Sequence, residues 1–472
     1  MATIKVVNIT PKAQSGNAGL DAEPNLAVNP ENPREIVATA FTPDPLGGPL
    51  APVYVSTDGG DTWVLNSVVP GNNTVAGTGD ITVGFAAHGG ALYTGILNGR
   101  NDDLEILRAA DIATATPMEV LLDVSAQDRP DQPWVVTGAA TADGAGQDTV
   151  YVGNNVAKKD HHSLPRTAMV AVSADARTGS GGFSNVPVDR RAGTVHDGPP
   201  IRLAAHHDGT VYTAFESWSG AVTNPAEPTF GLIVTMDVVV TRDDKGGLGQ
   251  DPFQDLRDSD DGGVGQRVVS SRTLPFDVRV AALGQERTGA DLSIAVDPTD
   301  SNSVWIAWCD ATGGTLPTDY VLHVQHSTDR GQTWAATRKD VIDAKNPSLA
   351  VNSEGLVGLV YQQLTHNQWR TVLEVSQDGF KTLESTVLHQ APGDVPSSGG
   401  GLPYLGDYLR MLAVGKDFYG IFAGNNAPDR ANFPVGVTYQ RNADFTTHQL
   451  LNPNGVAGVP VSIDPFFFHR AA

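Results

Sequence analysis

The sequence predicts an all-β fold: a single closed β-propeller of seven four-stranded antiparallel blades. Three observations predict it. A turn motif recurs along the chain, a strand-opening phrase recurs independently, and the two alternate seven times between about residues 23 and 451. Units of this length, each offering about four strands, are typical of propeller blades.

The turn motif is sharpest in segments 56–63 and 327–334, which both match S-T-D-x-G-x-T-W. In such a hairpin Asp accepts hydrogen bonds from backbone N–H groups, Gly takes a positive φ, and Trp covers neighbouring strands. Segment 376–383 keeps Asp and Gly, with Leu in place of Trp. Four further segments keep the position but little of the motif: 108–111, 173–179, 241–246 and 441–445.

The opening phrase gives a second count of the units. Segments 23–30, 291–298 and 346–352 are near-copies, and each precedes a second strand-like run. Looser versions begin at Asp80, Asp131, Pro199 and Gly406. The predicted blades cover residues 23–71, 78–124, 129–191, 195–287, 288–343, 344–394 and 403–451 of one domain, 1–472.

The two ends of the chain are predicted to close the ring, because a blade with a free edge would invite pairing with another chain. Residues 1–10 and 455–472 are the closing segments, with strands at 4–9 and 459–464 expected in or beside the same blade. The Gly- and Asp-rich stretch 251–265 is interpreted as an inserted loop.

Composition excludes several classes of partner. The net charge of −22, from 53 acidic and 31 basic residues, makes nucleic acid an unsuitable partner. No apolar run reaches the ~18 residues of a membrane span, so membrane insertion is not expected. Cys309 lies beside an apolar run and is interpreted as a buried structural thiol. The N-terminal residues lack the features of a signal peptide.

The S-T-D-x-G-x-T-W turn is the Asp-box, and the chain resembles the sialidase-like, or BNR-repeat, family. The resemblance implies a propeller whose Asp-boxes lie far from the active site, carbohydrate as the ligand, and an extracellular or cell-surface location. The Arg-Ile-Pro element of true sialidases is absent from the sequence, since segment 199–202 has a different order. Sialidase catalytic residues are therefore not assigned here. Segments 131–134 and 404–408 resemble phrases in secreted bacterial members of the family.

Acidic residues recur at the openings, where a propeller brings the first strands of all blades to one axis. Such acids could bind Ca²⁺ through oxygen ligands or act as the paired carboxylates of a glycosidase. Alternatively, each Asp caps its own loop. The acids at or next to the opening position are Glu23, Asp80, Asp131, Asp197, Asp291 and Asp407.

Roles follow from how far each opening departs from the repeat. The predicted catalytic residues are Asp131, Asp407 and Tyr408. The predicted substrate-binding residues are Arg129, Trp134, Arg202, Tyr404 and Arg410. The predicted metal ligands are Glu23, Asp80, Asp197 and Asp291; no cofactor is required, and Ca²⁺ is the one that the acids suggest.

Alternatives stand beside these roles. Trp134 could be a wedge between blades, and the arginines could form ion pairs with the acids. The adjacent histidines 161–162 and 206–207 would point to opposite faces of an extended strand, which argues against transition-metal binding by either pair.

The leading hypothesis is a monomeric glycoside hydrolase acting on an extracellular glycan. The alternative is a non-catalytic lectin or protein-interaction propeller.

Overall fold

The computed structural model describes residues 2–41, 52–67, 80–88, 90–98, 103–112, 118–124, 130–139, 147–157, 166–178, 182–191, 196–225, 231–276, 287–311, 320–393 and 405–472. Regular structure in these ranges is β, apart from two 3₁₀ turns at Lys12–Gln14 and Arg430–Asn432. The all-β prediction is confirmed. Nowhere in the same ranges is there a helix that could cross a membrane.

Four units are separate antiparallel sheets whose strands lie side by side in chain order. We call them units 1, 2, 3 and 6. Their strands are Asn25–Val28, Ile36–Thr39, Pro52–Ser56 and Val64–Ser67; Ile81–Phe85, Leu92–Asn98, Asp103–Ala109 and Glu119–Val124; Trp134–Ala139, Asp148–Ala157, Arg166–Ser173 and Ser184–Pro187; and Ala344–Val351, Val357–Thr365, Gln368–Ser376 and Glu384–Pro392.

Units 4 and 5 are joined into one eight-stranded sheet by a single pair, Thr273 with Ala311. The strands of unit 4 are His196–Ala205, Val211–Thr223, Leu232–Asp243 and Gln266–Pro275. Those of unit 5 are Ser293–Asp297, Asp300–Ala311, Tyr320–Ser327 and Lys339–Ile342.

Unit 7 is built from both ends of the chain. Its first two strands are Arg410–Val414 and Asp417–Asn425, its third is Ile463–Arg470 and its fourth is Ile4–Asn8. The two terminal strands pair antiparallel, with Val7 opposite Phe467. A short strand, Thr438–Tyr439, adds a parallel edge to this sheet.

The seventh blade predicted at 403–451 therefore needs correction, since its third and fourth strands come from the closing segments. The chain between the second and third strands instead carries a separate small sheet of Ala443–Asp444, Gln449–Leu451 and Gly458–Val459. Segment 441–445, predicted as a weak Asp-box, belongs to this insertion and not to a blade turn.

The units form a closed ring. The first strand of each unit contacts the first strand of the next, and the first strand of unit 7 contacts that of unit 1. Apolar clusters follow the same order, one at each junction. The cluster between units 7 and 1 joins Tyr419 and Phe467 to Leu26 and Trp63. Each large apolar side chain fully buried there contributes about 1.5–3 kcal/mol, so the junctions hold the ring together. This cyclic arrangement is that of a β-propeller.

A hydrogen bond recurs between successive first strands close to the axis. A polar side chain of one unit accepts from a backbone N–H of the next unit, over 2.9–3.1 Å. The four pairs are Asn25 with Val83, Thr82 with Val135, Ser293 with Leu349, and Ser348 with Met411. Strand register places Trp134, Arg202 and Arg410 at the equivalent position of the remaining units.

The predicted turns form one repeated hydrogen-bond set between third and fourth strands. Asp329 Oδ1 accepts from the N–H of Thr333 at 2.9 Å, and Oδ2 accepts from its hydroxyl at 2.6 Å. The Ser327 hydroxyl donates to Asp329 and accepts from the N–H of Gly331. The turns at 56–63 and 376–383 repeat these bonds. These bonds hold the pKa of Asp329 below its usual range despite partial burial.

The Asp-box at 376–383 packs against the neighbouring unit through a different residue. Leu383 is 41 % exposed and does not replace Trp. Phe380, which stands at the Gly position with a φ of 66°, packs edge-on against Trp305 of the preceding unit. At the same position Gly60 leaves no room for a Cβ, because the Phe467 ring would lie 2.2 Å from it. In this copy the aromatic ring has moved three residues towards the N-terminus.

The stretch 251–265 adds no strand to unit 4, as predicted for an inserted loop. Its Asp258 is buried and bonds both Arg191 and Arg267 at 2.8 Å, which lowers the pKa of that carboxyl. Cys309 is buried and unpaired, as predicted.

Replacing Asp329 with Ala is expected to lower the free energy of unfolding by about 1–2 kcal/mol, because three donors of the turn lose their acceptor. Urea unfolding followed by tryptophan fluorescence measures the change. Asp251→Ala, at an exposed Asp in another loop, is the matched control. Equal stability of the two variants would mean that the hydrogen bonds to Asp329 do not stabilise the turn.

Candidate functional site

The predicted acids lie at the end of the ring opposite the Asp-box turns. Antiparallel hairpins put the start of every first strand and the end of every third strand at opposite ends. Glu23 and Asp80 precede the first strands of units 1 and 2, are 3 % and 6 % exposed, and hydrogen-bond each other through their side chains. Burial, with the nearby charges of Asp131 and Asp407, raises the pKa of Asp80.

Tyr408 of unit 7 joins this pair. Its hydroxyl donates to Asp80 Oδ1 at 3.0 Å, although the two residues are 328 positions apart. Burial, together with the charges of Asp80 and Glu23, raises the pKa of Tyr408 well above its usual range. The hydroxyl is therefore a stable donor at neutral pH.

Gln132 connects the two predicted catalytic acids. Its N–H donates to Asp131 Oδ1 and its side-chain amide donates to Asp407 Oδ2, both over 3.1 Å. Arg287 forms an ion pair with the same Asp407 oxygen. Burial raises the pKa of Asp407, against the opposing effects of Arg287 and Lys345. Its Oδ1 is buried and has no hydrogen-bond partner among the described residues, while Asp131 is half-buried.

Arg202 forms an ion pair with an acid of the cluster. This ion pair was the predicted alternative to a role in substrate binding. The Nε of Arg202 donates to Asp291 Oδ1 at 2.8 Å, and Nη2 donates to Gln132 Oε1 at 3.1 Å. The guanidinium lies 4.0 Å from the ring centroid of Trp134, a cation–π distance. Burial raises the pKa of Asp291 to about 7, which Arg202 opposes.

Trp134 contacts several units at once. It is 7 % exposed, meets Tyr408 edge-on at 5.6 Å, and lies 4.9 Å from the guanidinium of Arg410. These contacts match the predicted alternative, a wedge between blades.

Arg410 forms none of the predicted ion pairs within the described part of the chain. Its guanidinium donates to Asn25 Oδ1 and to the carbonyls of Val83 and Val135, over 3.1–3.2 Å. It thereby ties unit 7 to the first strands of units 1, 2 and 3. Burial and the nearby Arg202 lower the pKa of Arg410 to about 10.

Lys345 is a buried cation of the site that the sequence analysis did not single out. Its ammonium donates to the carbonyl of Gly406 at 3.1 Å, beside the Asn346 amide at 2.9 Å. Gly406 has a φ of 96°, and a Cβ there would lie 2.5 Å from the nitrogen of Glu23, so only glycine fits. Burial lowers the pKa of Lys345 to about 7, although Asp407 and Glu23 oppose this.

Glu216 is a second unpredicted member, on the second strand of unit 4. Its Oε2 accepts from the indole of Trp218 at 3.2 Å, and Oε1 has no hydrogen-bond partner in the described ranges. Burial raises the pKa of Glu216 to about 8. The irregular pairing after Asp197 makes room for it, since a Cβ on Gly198 would lie 2.6 Å from Oε2.

The four acids predicted as metal ligands are all engaged in hydrogen bonds or ion pairs with other residues of the protein. Asp197 Oδ2 accepts from the N–H of Ala168 at 2.7 Å, Asp291 bonds Arg202, and Glu23 bonds Asp80. Within the described ranges, no group of three or more His, Cys, Asp or Glu side chains is arranged to hold a metal ion. Binding of Ca²⁺ stays a prediction.

Some predicted residues lie outside the described ranges: Arg129, Tyr404 and the histidines 161–162. His206 and His207 do not point to opposite faces. They lie in the turn after the first strand of unit 4, and their rings are 4.1 Å apart.

The other end of the axis differs from the acid end in the residues that form it. A cavity of about 510 Å³ opens there, and residues of all seven first strands line it. Most of the described lining residues are apolar. His206 and His207 also line the cavity, and Arg410 is the one permanently charged side chain among these lining residues. The acid cluster and this cavity thus lie at opposite ends of the axis.

Glu216 gives a test by pH. With a folded pKa of about 8 against the ordinary 4.5, the folded protein keeps a proton that the unfolded chain releases, so stability falls as pH rises through this window. We expect Glu216→Gln to remove that slope, at most about 1.4 kcal/mol per pH unit. The measurement is urea unfolding of variant and wild type from pH 5 to 9, with the exposed Glu31→Gln as control. Parallel curves for wild type and Glu216→Gln would exclude the raised pKa.

No protein-family model matches the chain, and no curated protein matches it. Among solved structures, the GH93 α-L-arabinofuranosidase of Fusarium graminearum is 12% identical, with a TM-score of 0.45 over 81% of this chain and 97% of that chain. The Penicillium chrysogenum α-L-arabinanase is 11% identical, with a TM-score of 0.44 over 98% of both chains. A PL25 ulvan lyase is 12% identical, with a TM-score of 0.47 over 86% of this chain and 92% of that chain. At such identities and scores, these likenesses assign neither a reaction nor a site residue.

Proposed function

We propose that the protein is a seven-bladed β-propeller that hydrolyses a glycan outside the cell, with Asp131 and Asp407 as its paired carboxylates. One observation supports the proposal. Asp407 has a raised pKa, its buried Oδ1 has no hydrogen-bond partner among the described residues, and Gln132 links it to the more exposed Asp131. Two carboxyl groups in unlike environments are what glycoside hydrolysis requires.

The division of roles follows from burial. Asp407 is 2 % exposed, and its raised pKa suits a general acid that protonates the leaving oxygen. Asp131 is half-buried and can reach water or the sugar as base or nucleophile. Tyr408 acts through Asp80 rather than on the substrate, because its hydroxyl is already bonded to that carboxylate.

Arg287 is partly exposed and lies where the proposed site meets solvent. Its side chain is 29% exposed, whereas Asp407 beside it is 2% exposed. A guanidinium held against the acid at this position can donate hydrogen bonds to sugar hydroxyl or carboxylate groups. The substrate therefore approaches along Arg287 and Asp131.

A non-catalytic glycan-binding propeller is the second candidate. The observation that favours it is the burial of Glu23, Asp80 and Asp407, whose hydrogen bonds to one another and to Gln132 fit a structural network as well as a reactive one. Burying charges in this way is tolerated when each is paired and hydrogen-bonded.

Release of reducing sugar from a panel of neutral and acidic polysaccharides, read beside a glycan array, separates the two candidates. We expect Asp131→Asn and Asp407→Asn each to lower the rate by about 10²–10⁴-fold, the usual worth of an acid or base in catalysis. Asp251→Asn is the surface control and retains full activity.

Folding of each variant is checked by its urea midpoint, because Asp407 is buried. Asp131→Asn, at the more exposed acid, keeps the test valid even if the other variant is unstable. Binding on the array without release of sugar would establish the second candidate. Release that both variants retain would remove these two acids from the active site.

A further inference from the structure

The mouth of the axial channel opposite the acid cluster has the features of a binding site. Its volume, about 510 Å³, lies in the range of small-molecule pockets, about 300–1,000 Å³. Each first strand contributes to the wall. Six of them present larger apolar side chains: Val28, Phe85, Val136, Val296, Val351 and Leu412.

A single cation lies among these apolar groups. Arg410 lines the cavity, and its hydrogen bonds to the described residues all go to neutral oxygens: one side-chain amide oxygen and two backbone carbonyls. Its charge therefore has no carboxylate to balance it among the described residues.

A second guanidinium lies beside Arg410. Arg202 is close enough to Arg410 to lower its pKa, and in the described part of the chain Arg202 forms an ion pair with Asp291. Arg202 Nη1 is buried and has no hydrogen-bond partner in the described part of the chain. An anion is the complement of the Arg410 charge that lines the cavity.

We propose that this mouth binds an amphiphilic monocarboxylate, with the carboxylate at Arg410 and the apolar body against the ring of first-strand side chains. Arginine binds carboxylates through directed, charge-assisted hydrogen bonds, and the apolar wall gains from removal of a hydrocarbon chain from water. The site does not depend on the hydrolase proposal, because it lies at the other end of the channel.

Octanoate is the probe, and octan-1-ol is its uncharged counterpart. Isothermal titration calorimetry at neutral pH is expected to show saturable octanoate binding, with octanol at least tenfold weaker. We expect Arg410→Met to weaken octanoate binding at least tenfold and Arg410→Lys to weaken it less, since lysine keeps the charge. Equal binding of octanoate and octanol would overturn the role of Arg410.

A second variant keeps the test valid if substitutions at Arg410, which ties several first strands, prevent folding. Ala87 is half-buried at the mouth, so Ala87→Trp is expected to block entry and weaken octanoate binding at least tenfold. Val64→Trp, at a residue 57% exposed on an outer strand, is the matched control and leaves binding unchanged. Absence of saturable octanoate binding, or full binding by Ala87→Trp, would overturn the site.

The two proposals can fail separately. Ala87→Trp is expected to leave any glycan hydrolysis unchanged, and Asp131→Asn to leave octanoate binding unchanged. Loss of both properties in either single variant would mean that the two ends of the channel are not separate sites.

Discussion

Closure of the ring is the constraint on which the rest of the structure depends. Each unit packs against a neighbour on both sides through an apolar cluster, so an open ring would expose two such faces and an unpaired strand edge. Unit 7 avoids this by combining the C-terminal strand Ile463–Arg470 with the N-terminal strand Ile4–Asn8. Stability of the ring therefore requires both ends of the chain at once, and Phe467, which contacts Trp63 of unit 1 at 5.4 Å, lies at that junction.

Closure also explains how the axis holds so many charges. Glu23 and Asp407 are 384 positions apart, yet the carboxylate of one accepts from the backbone N–H of the other at 3.1 Å. Ionised side chains away from water are costly unless they are paired and hydrogen-bonded. Here Asp291 pairs with Arg202 and Asp407 pairs with Arg287, while the charges of Asp407 and Glu23 lie near Lys345. The remaining cost of burying these charges is seen in the raised pKa of Asp291 and the lowered pKa of Lys345. Charges of both signs are therefore part of one network.

Motifs that repeat along the chain could be predicted from the sequence, whereas contacts that form only when the ring closes could not. The Asp-boxes and opening acids were visible because their spacing is local. Gln132 and Lys345 were missed because they bind Asp407 and Gly406 of unit 7, which lie far from them in the chain. Glu216 was missed because the burial that raises its pKa is a property of the folded protein and not of its neighbours in the chain. Trp134, Arg202 and Arg410, by contrast, could be predicted, and they stand where four other units have a small polar residue, namely Asn25, Thr82, Ser293 and Ser348. The seventh blade was misplaced because the third strand is delayed by the insertion after Asn425, a gap that no periodicity spans.

The two ends of the channel differ because different parts of each first strand face them. At the start of the strands the chain enters from loops, where residues such as Glu23 and Gln132 adopt positive φ and turn polar groups towards the axis. Farther along, the strands pair regularly and present aliphatic side chains such as Val136 and Val351. Arg410 lies between these zones, on the regular strand of unit 7 yet beside Trp134 and Arg202. Its carbonyl partners hold the guanidinium in place without neutralising it, so the boundary between the two zones carries a positive charge that no carboxylate balances among the described residues.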